Sequence, residues 1–279
     1  SGTEFDAIIV GGGPGGAAAA GYLAKSGSRV LMIEKEVWPR DKVCGDAVGG
    51  KSLSHVSELG VKADIEATPH FRVTGIVFSS PKGNTVRVPL PEEDVERMEA
   101  GYALPRAQFD SLLFDRCQAL VRGAGGSIIQ GGDVRTVLFD DGAGGQDPGE
   151  GSGDARHAAG IVVQIGGKKG EERTFYSREL VGAAGYRCPV ARSVVESSYN
   201  EVMMDRDHYC GGYREYWRNV KGCESNVGDI EIHFVDSVIP GYFWLFPVSE
   251  NVVNVGIGMV MGLLDKQKKK LKALQADVI

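Results

Sequence analysis

Six residues near the N-terminus, Gly11-Gly12-Gly13-Pro14-Gly15-Gly16, have the types and spacing that hold a phosphate group. They follow the apolar stretch Asp6–Val10 and precede an alanine-rich stretch, which predicts a strand, a turn and a helix in that order. Gly11 permits a tight turn, Gly13 lets the backbone approach a pyrophosphate, and Gly16 lets the helix pack closely on the strand. The pyrophosphate is expected at the helix N-terminus, where free N–H groups and the helix dipole favour negative charge.

A carboxylate stands where the ribose of a dinucleotide is expected. Arg29–Glu34 is typical of a second buried strand, and Glu34 ends it 23 residues after Gly11. At this place a carboxylate accepts hydrogen bonds from ribose hydroxyls and repels a 2′-phosphate. Roughly the first fifty residues therefore predict a dinucleotide-binding βαβ unit.

A charged loop follows the second strand. The run Pro39-Arg40-Asp41-Lys42-Val43-Cys44-Gly45-Asp46-Ala47 combines charge, cysteine and glycine, and its place in the chain predicts that it covers the bound cofactor. The alternative is a solvated loop with an incidental cysteine, and a catalytic thiol at Cys44 would need a depressed pKa. Arg106 begins the predicted helix Pro105–Val121, either as a cofactor contact or as an ordinary surface arginine.

An aromatic strand near the C-terminus is bracketed by prolines, in the run Pro240-Gly241-Tyr242-Phe243-Trp244-Leu245-Phe246-Pro247. Strand alternation puts Tyr242, Trp244 and Phe246 on one face. Such a face suits an apolar or planar ligand, and an ordinary sheet core has the same pattern.

Composition excludes several functional classes. The 279 residues are 42% hydrophobic and 24% charged, as in an ordinary globular protein, and the net charge of −6 argues against a nucleic-acid partner. No apolar run reaches the roughly 18 residues that a membrane span needs. The five cysteines are scattered without C-x-x-C spacing, which favours neither disulfides nor a metal site, and we expect a cytoplasmic protein.

The order of predicted elements indicates an α/β protein, with a Rossmann-like nucleotide-binding domain and an inserted, sheet-rich (α+β) substrate domain. The predicted segments are residues 1–70 and 100–190 for the nucleotide-binding domain, 71–99 and 191–262 for the substrate domain, 140–159 for a mobile glycine-rich loop, and 263–279 for a C-terminal helix.

Together these features resemble the geranylgeranyl reductase family, FAD-dependent flavoproteins related to the aromatic-hydroxylase-like flavoproteins. The resemblance is carried by the glycine turn with Glu34, by the run Pro39–Ala47, by the aromatic run Pro240–Pro247, and by Asn254–Gly258 after it. The glycine turn is common to many flavoproteins, whereas the Cys-Gly-Asp and Tyr-x-Trp-x-Phe-Pro runs together are more specific.

The resemblance implies an oxidoreductase of isoprenoid lipid biosynthesis that saturates C=C bonds of polyprenyl groups. Reduced flavin would supply hydride, with NAD(P)H or a ferredoxin-type protein as electron donor, and peripheral membrane contact would suit the substrate. The implied catalytic segment is Cys44, Gly45 and Asp46, and the implied substrate residues are Tyr242, Trp244 and Phe246. The implied FAD contacts are Gly11, Gly13, Pro14, Gly15, Gly16, Glu34, Lys35, Arg40, Cys44, Arg106, Val134 and Gly185.

Two departures from the family pattern qualify these expectations. Related flavoproteins often carry Asp in the turn that matches Gly182–Gly185, and here that position is Ala184. The family also continues to a Gly-Asp-Ala-type turn beyond the point that matches Ile279, which predicts weak or absent FAD binding without that segment. The alternatives are a flavin monooxygenase or halogenase acting on an aromatic substrate, and a non-catalytic lipid-binding relative.

Overall fold

The computed structural model describes residues 5–97, 99–140, 157–199 and 201–279. The chain divides into two compact units. The first unit consists of Ser1–Arg40 and Asp110–Met203, and the second of Asp41–Phe109 and Met204–Ile279. In sequence, the segment 41–109 is therefore inserted into the first unit.

The strands, in chain order, are β1 (Phe5–Val10), β2 (Val30–Glu34), β3 (Ala47–Gly49), β4 (Phe71–Ser79), β5 (Thr85–Pro89), β6 (Gly101–Ala103), β7 (Ser127–Gln130), β8 (Gly132–Asp140), β9 (His157–Ile165), β10 (Glu171–Gly182), β11 (Cys210–Arg218), β12 (Val227–His233), β13 (Tyr242–Ser249) and β14 (Val252–Val260). The α-helices are α1 (Pro14–Lys25), α2 (Ser52–Glu58), α3 (Lys62–Glu66), α4 (Glu92–Glu96), α5 (Arg106–Gly123), α6 (Pro189–Ser198), α7 (Met261–Gln267) and α8 (Leu271–Val278).

The first unit has a sheet in the order β7-β2-β1-β10-β9-β8. Its first four strands are parallel neighbours, and β9 is antiparallel to both β10 and β8. Strands buried on both faces need apolar residues at successive positions, and β1 and β2 have them, with Ile8, Ile9, Leu31 and Met32 at most 1% exposed. The parallel core with α1 between β1 and β2 is the predicted βαβ unit.

The second unit has a sheet in the order β11-β14-β13-β12-β4-β6-β3, with β5 paired to β4. All of these pairs are antiparallel except β12 with β4. One core cluster of this unit contains Phe71, Val73, Trp244, Phe246 and Val248. The predicted α/β fold, with a Rossmann-like domain and an inserted sheet-rich domain, is confirmed.

The segment after β2 belongs to the second unit earlier than the predicted boundary at residue 70. The reason is local packing. Strand β3 pairs with β6, and the short helices α2 and α3 that follow β3 bury Leu53, Val56 and Ile65. The observed divisions fall after residues 40, 109 and 203, where the sequence placed them after 70, 99 and 190.

The C-terminal region forms two short helices, α7 and α8, where the sequence predicted one. Lys268 has a left-handed backbone, with φ of 53°, which ends α7 before α8 begins. The predicted mobile loop over 140–159 lies outside the described residues for 141–156, and its ends belong to β8 and β9. Within the described ranges, no helix is both long and apolar enough to cross a membrane.

Candidate functional site

The glycine turn between β1 and α1 depends on missing side chains at two positions. Gly11 has φ of +105°, and a Cβ there would stand 2.6 Å from the backbone of Ala183. A Cβ on Gly16 would stand 1.8 Å from the carbonyl oxygen of Gly11. Since real Cβ atoms never approach so closely, only glycine allows this turn to pack against the helix and β10.

The N-terminus of α1 presents an open cradle for an anion. Gly13 precedes the helix without a capping side chain, and Pro14 occupies its first turn. The first N–H groups of a helix have no intrahelical partner, so they are available to a phosphate. At Gly15, no described atom lies within 4 Å of the place a Cβ would take. The cradle therefore has donors and free space together, as a pyrophosphate requires.

Glu34 ends β2 directly beside this turn. Its carboxylate is 5% exposed and accepts hydrogen bonds from the N–H of Gly12 at 2.6 Å and the N–H of Glu36 at 2.9 Å. A carboxylate has about four lone-pair sites, so these two bonds leave capacity for ribose hydroxyls. The residues present thus fit the adenosine end of a dinucleotide.

Arg40 supplies positive charge at the same place. Its Nη2 atom lies 3.8 Å from Glu34 and 3.2 Å from the Cβ position of Gly13. The guanidinium also lies over the Trp38 ring, 4.4 Å from its centre, and 4.0 Å from the Asp110 carboxylate. This stacking holds the cation beside the turn, where it can neutralise a phosphate.

In the second unit, the segment Asp41–Asp46 is held by side chains of β11 and β14. Arg214 donates to the Asp41 carboxylate at 2.5 and 2.6 Å and to the carbonyl oxygen of Lys42 at 3.3 Å. Asn254 donates from Nδ2 to the carbonyl oxygen of Cys44 at 2.7 Å. The Tyr216 hydroxyl donates to Asp46 at 2.6 Å. We call Asp41–Asp46 the clamped segment.

Asp46 is an unusual residue within the clamped segment. It is fully buried and has a left-handed backbone with φ of 66°, which aspartate tolerates better than most residues. Burial raises the pKa of its carboxyl, and the hydrogen bond from Tyr216 and the nearby charge of Arg214 oppose that rise. Desolvation thus lets Asp46 keep its proton to a higher pH than a surface aspartate.

Trp244 and Phe246 pack against the clamped segment. A Cβ on Gly45 would stand 2.6 Å from the Phe246 ring and 3.6 Å from Nε1 of Trp244. Both rings are buried in the core of the second unit, whereas Tyr242 is 40% exposed. The structure therefore brings together Cys44–Asp46 and two of the three predicted substrate residues.

The other predicted site residues lie in different surroundings. Lys35 forms an exposed ion pair with Asp133 at 3.3 Å. Val134 is a core residue of the first unit, and Gly185 begins an exposed 3₁₀ turn after β10. Arg106 is 8% exposed at the start of α5. Their roles toward a cofactor stay predictions.

Two family models match separate parts of the chain. Residues 4–141 match the family model described as FAD binding domain, and residues 208–277 match the model described as geranylgeranyl reductase catalytic domain. Together these matches support an FAD flavoprotein of the geranylgeranyl reductase type. The cofactor of the glycine turn is accordingly FAD.

Curated relatives of the chain include two kinds of reductase. The menaquinone reductase of Mycobacterium tuberculosis is 27% identical over 255 residues, which cover 91% of this chain and 54% of that protein. The digeranylgeranylglycerophospholipid reductase of Sulfolobus acidocaldarius is 28% identical over 268 residues, covering 93% and 51%. The chain thus spans about half the length of the curated relatives it matches.

Solved structures share the fold. A myxobacterial chondrochloren halogenase, described as a variant of FAD-dependent halogenases, has a TM-score of 0.74 at 23% identity, over 99% of this chain and 57% of its own. A geranylgeranyl bacteriochlorophyll reductase-like protein from Thermoplasma acidophilum has a TM-score of 0.69 at 21% identity, over 99% and 61%. Identities this low establish architecture alone.

Sequence reasoning missed three residues of the candidate site, Arg214, Tyr216 and Asn254. Arg214 and Tyr216 lie on β11, a strand that the sequence reading did not predict. The alternating run Gly211–Trp217 carries the signal for that strand. Asn254 was noted only as part of a strand resembling the family.

We expect Tyr216→Phe to destabilise the second unit in a pH-dependent way. Because the hydroxyl bonds the ionised carboxylate and lowers the pKa of Asp46, its loss costs most where Asp46 is charged. The cost should therefore grow as pH rises through the pKa of Asp46, to about 1.5–3 kcal/mol. Urea unfolding of both proteins from about pH 4 to about pH 8 measures it.

The matched control removes the titrating group itself. In an Asp46→Asn background, Tyr216→Phe should cost the same free energy at every pH, since no carboxyl remains to titrate. A cost for Tyr216→Phe that is equally independent of pH in the native background would show that the Asp46 carboxyl does not titrate in the folded protein between about pH 4 and about pH 8.

Proposed function

We propose that this chain is part of an FAD-dependent reductase that saturates C=C bonds in polyprenyl groups of lipids or lipid precursors. The observation that supports this most is the match of residues 208–277 to the geranylgeranyl reductase catalytic domain. That region contains β11, β13 and β14, the strands that hold the clamped segment and carry Trp244. FAD, when bound and reduced, supplies hydride for such a saturation.

The substrate class follows from what the relatives' names have in common. Menaquinone and digeranylgeranylglycerophospholipid have different head groups, and both carry polyprenyl chains. The proposed recognition element is therefore the chain, and the aromatic residues Tyr242, Trp244 and Phe246 are the proposed contacts to it. Aromatic faces pack well against unsaturated hydrocarbon and stabilise positive charge that develops when an alkene is protonated.

The proposed roles divide between the units. In the first unit, the glycine turn, Glu34 and Arg40 hold the FAD pyrophosphate and ribose. Lys35, Arg106, Val134 and Gly185 complete the set of residues proposed to contact FAD, Val134 through its main chain because its side chain is in the core.

Cys44, Gly45 and Asp46 form the proposed catalytic segment of the second unit. Saturation of one C=C bond consumes one hydride and one proton, and this segment is proposed to handle the proton. Asp46 suits that role because its burial raises its carboxyl pKa. Gly45 allows the segment to approach Trp244 and Phe246 closely.

Electron supply and membrane contact are further parts of the proposal. NAD(P)H or a ferredoxin-type protein is the proposed source of electrons. Lysines at 266, 268, 269, 270 and 272 surround the junction of α7 and α8. A basic cluster of this kind attracts anionic lipid headgroups, which supports peripheral contact with the membrane that holds the substrate.

The test of this function combines a spectrum with a turnover assay. The purified chain, supplied with FAD, should show bound-flavin absorbance. With dithionite as reductant and geranylgeranyl diphosphate as substrate, mass spectrometry should find products heavier by two hydrogens per saturated bond. Flavin binding with oxygen-dependent hydroxylation or halogenation of an aromatic compound, and no saturation, would replace the proposal by an oxygenase. Lipid binding by a protein that takes up no FAD would indicate a non-catalytic relative.

We expect Arg40→Gln to weaken FAD binding about tenfold, because it removes a charge-assisted contact beside the phosphate cradle. The affinity of the native chain should fall as salt increases, and that of the variant should fall less. Fluorescence titration with FAD at two salt concentrations measures both effects. Lys168→Gln, an exposed change between β9 and β10 in the same unit, is the control and should leave the affinity unchanged.

A further inference from the structure

The indole of Trp244 lies on one face of β14, where glycine leaves room for it. In the β13–β14 pairing, Trp244 stands opposite Gly256, and its neighbours Phe246 and Tyr242 stand opposite Asn254 and Gly258. A Cβ on Gly256 would stand 2.1 Å from the indole ring. The absence of that Cβ lets the ring lie directly on the β14 backbone, so its position is closely fixed.

Asn254, on the same face of β14, joins this indole to the clamped segment. It is fully buried, and both ends of its amide are used. Its Oδ1 accepts a hydrogen bond from Nε1 of Trp244 at 2.9 Å, while its Nδ2 donates to the carbonyl oxygen of Cys44 at 2.7 Å. One side chain thus bridges an aromatic residue of β13 and the main chain of Cys44, 210 residues away in sequence.

Asparagine is unfavourable for stability at this buried strand position unless its hydrogen bonds compensate. It is depleted in strand interiors, and a buried amide costs free energy unless it is fully hydrogen-bonded. The flanking residues Val253 and Val255 point to the other face and pack in an apolar cluster. The amide accepts from the indole and donates to the carbonyl at the same time. An ionised aspartate accepts without donating, and leucine does neither.

We propose that Asn254 is a positioning residue that fixes the main chain of Cys44 relative to the Trp244 indole in the reduction proposed above, on which this inference rests. It acts through Cys44 and Trp244, and its amide also lowers the pKa of the neighbouring Asp46 carboxyl, but it has no chemical step of its own. Arg214 and Tyr216 hold the two ends of the clamped segment, and Asn254 holds its middle.

Asn254→Asp tests the bridge, with the full chain loaded with FAD. Aspartate keeps the size and the acceptor for Trp244, and at a pH high enough to ionise it, it has no donor for Cys44. The first measurement is the alkylation rate of each cysteine by iodoacetamide, resolved by peptide mass spectrometry. Cys44 should react about fivefold faster, the change that loss of one hydrogen bond gives to a local opening equilibrium. The exposed Cys210 of the same unit should react at its original rate.

The second measurement is polyprenyl reduction by the same variant. Misplacement of Cys44 should lower kcat by about tenfold to a hundredfold, with KM changed little, because substrate still meets the aromatic residues. Asn226→Asp, the same substitution at an exposed position of this unit, should change neither quantity. If Asn254→Asp does not fold, Trp244→Phe removes the indole N–H together with part of the ring that packs on β14, and should still speed alkylation of Cys44 relative to Cys210.

The two measurements separate this inference from the proposed function. If Cys44 in a folded variant reacts at the native rate, Asn254 does not position it, whatever the enzyme reduces. If Cys44 reacts faster while neither protein reduces polyprenyl substrate, the bridge exists but the proposed function is wrong. Faster alkylation with unchanged kcat would show that the bridge has only a structural role, which also overturns the inference.

Discussion

Gly16→Ala is expected to unfold the N-terminal βαβ unit at a much lower temperature than the native chain. The new Cβ would stand 1.8 Å from the carbonyl oxygen of Gly11, a backbone atom that has no rotamer by which to move away. Helix α1 must then shift from β1, at a cost at the upper end of overpacking, about 3 kcal/mol. For a unit of this size the midpoint of thermal unfolding should fall by about 6–12 °C.

Gly15→Ala is the matched control, one residue earlier in the same turn. Its Cβ would enter the open cradle, where no described atom lies within 4 Å, so the fold should be as stable as before or slightly more stable. The methyl group would nevertheless occupy space proposed for the pyrophosphate. We therefore expect Gly15→Ala to keep its melting temperature without FAD and to lose most of the stabilisation that excess FAD gives the native chain.

Circular dichroism melts with and without FAD distinguish the two glycines. Gly16→Ala should lower the melting temperature and weaken FAD binding, whereas Gly15→Ala should weaken FAD binding alone. A Gly16→Ala variant that melts with the native chain would show that the turn adopts another conformation. A Gly15→Ala variant that binds FAD normally would place the pyrophosphate away from the cradle.

The first half of this site was predictable because its signals are local. Strand, turn, helix and strand follow one another within the segment that ends at Glu34, and each glycine has a role that spacing alone specifies. The period-two alternation of a strand also correctly placed Tyr242, Trp244 and Phe246 on one face. The ring centre of Trp244 lies 5.9 Å from that of Tyr242 and 6.3 Å from that of Phe246.

The contacts that hold the clamped segment were not predictable in this way. Asp46 and Tyr216 are 170 residues apart, and Cys44 and Asn254 are 210 apart. A pattern in a single sequence reports which face of a strand is buried, and it contains nothing about which distant loop that face meets. The boundary after β2 was misplaced for the same reason, since the three residues of β3 are too few to show a period and only their pairing with β6 assigns them.

Gly256→Ala is expected to destabilise the second unit strongly. The added Cβ would stand 2.1 Å from the Trp244 ring, so the indole must leave the surface of β14. Overpacking of this kind costs about 1–3 kcal/mol, and the loss of the bond between Nε1 and Asn254 adds about 1 kcal/mol. Urea unfolding followed by tryptophan fluorescence should show both the lower stability and a changed emission of the native state.

Gly258→Ala separates this explanation from a general intolerance of side chains on β14. Gly258 lies on the same face two residues later, and its Cβ would meet Trp244 at 3.8 Å, an ordinary van der Waals contact. It should therefore cost well under 1 kcal/mol, the limit for a change that the packing accommodates without strain. Equal stabilities for the two variants would mean that Trp244 does not lie flat on β14.

Asn254 bonds both the Trp244 indole and the main chain of Cys44. Gly256→Ala should therefore also speed alkylation of Cys44, whereas Gly258→Ala should not. Loss of the aromatic packing and release of the clamped segment are then two results of one displaced ring.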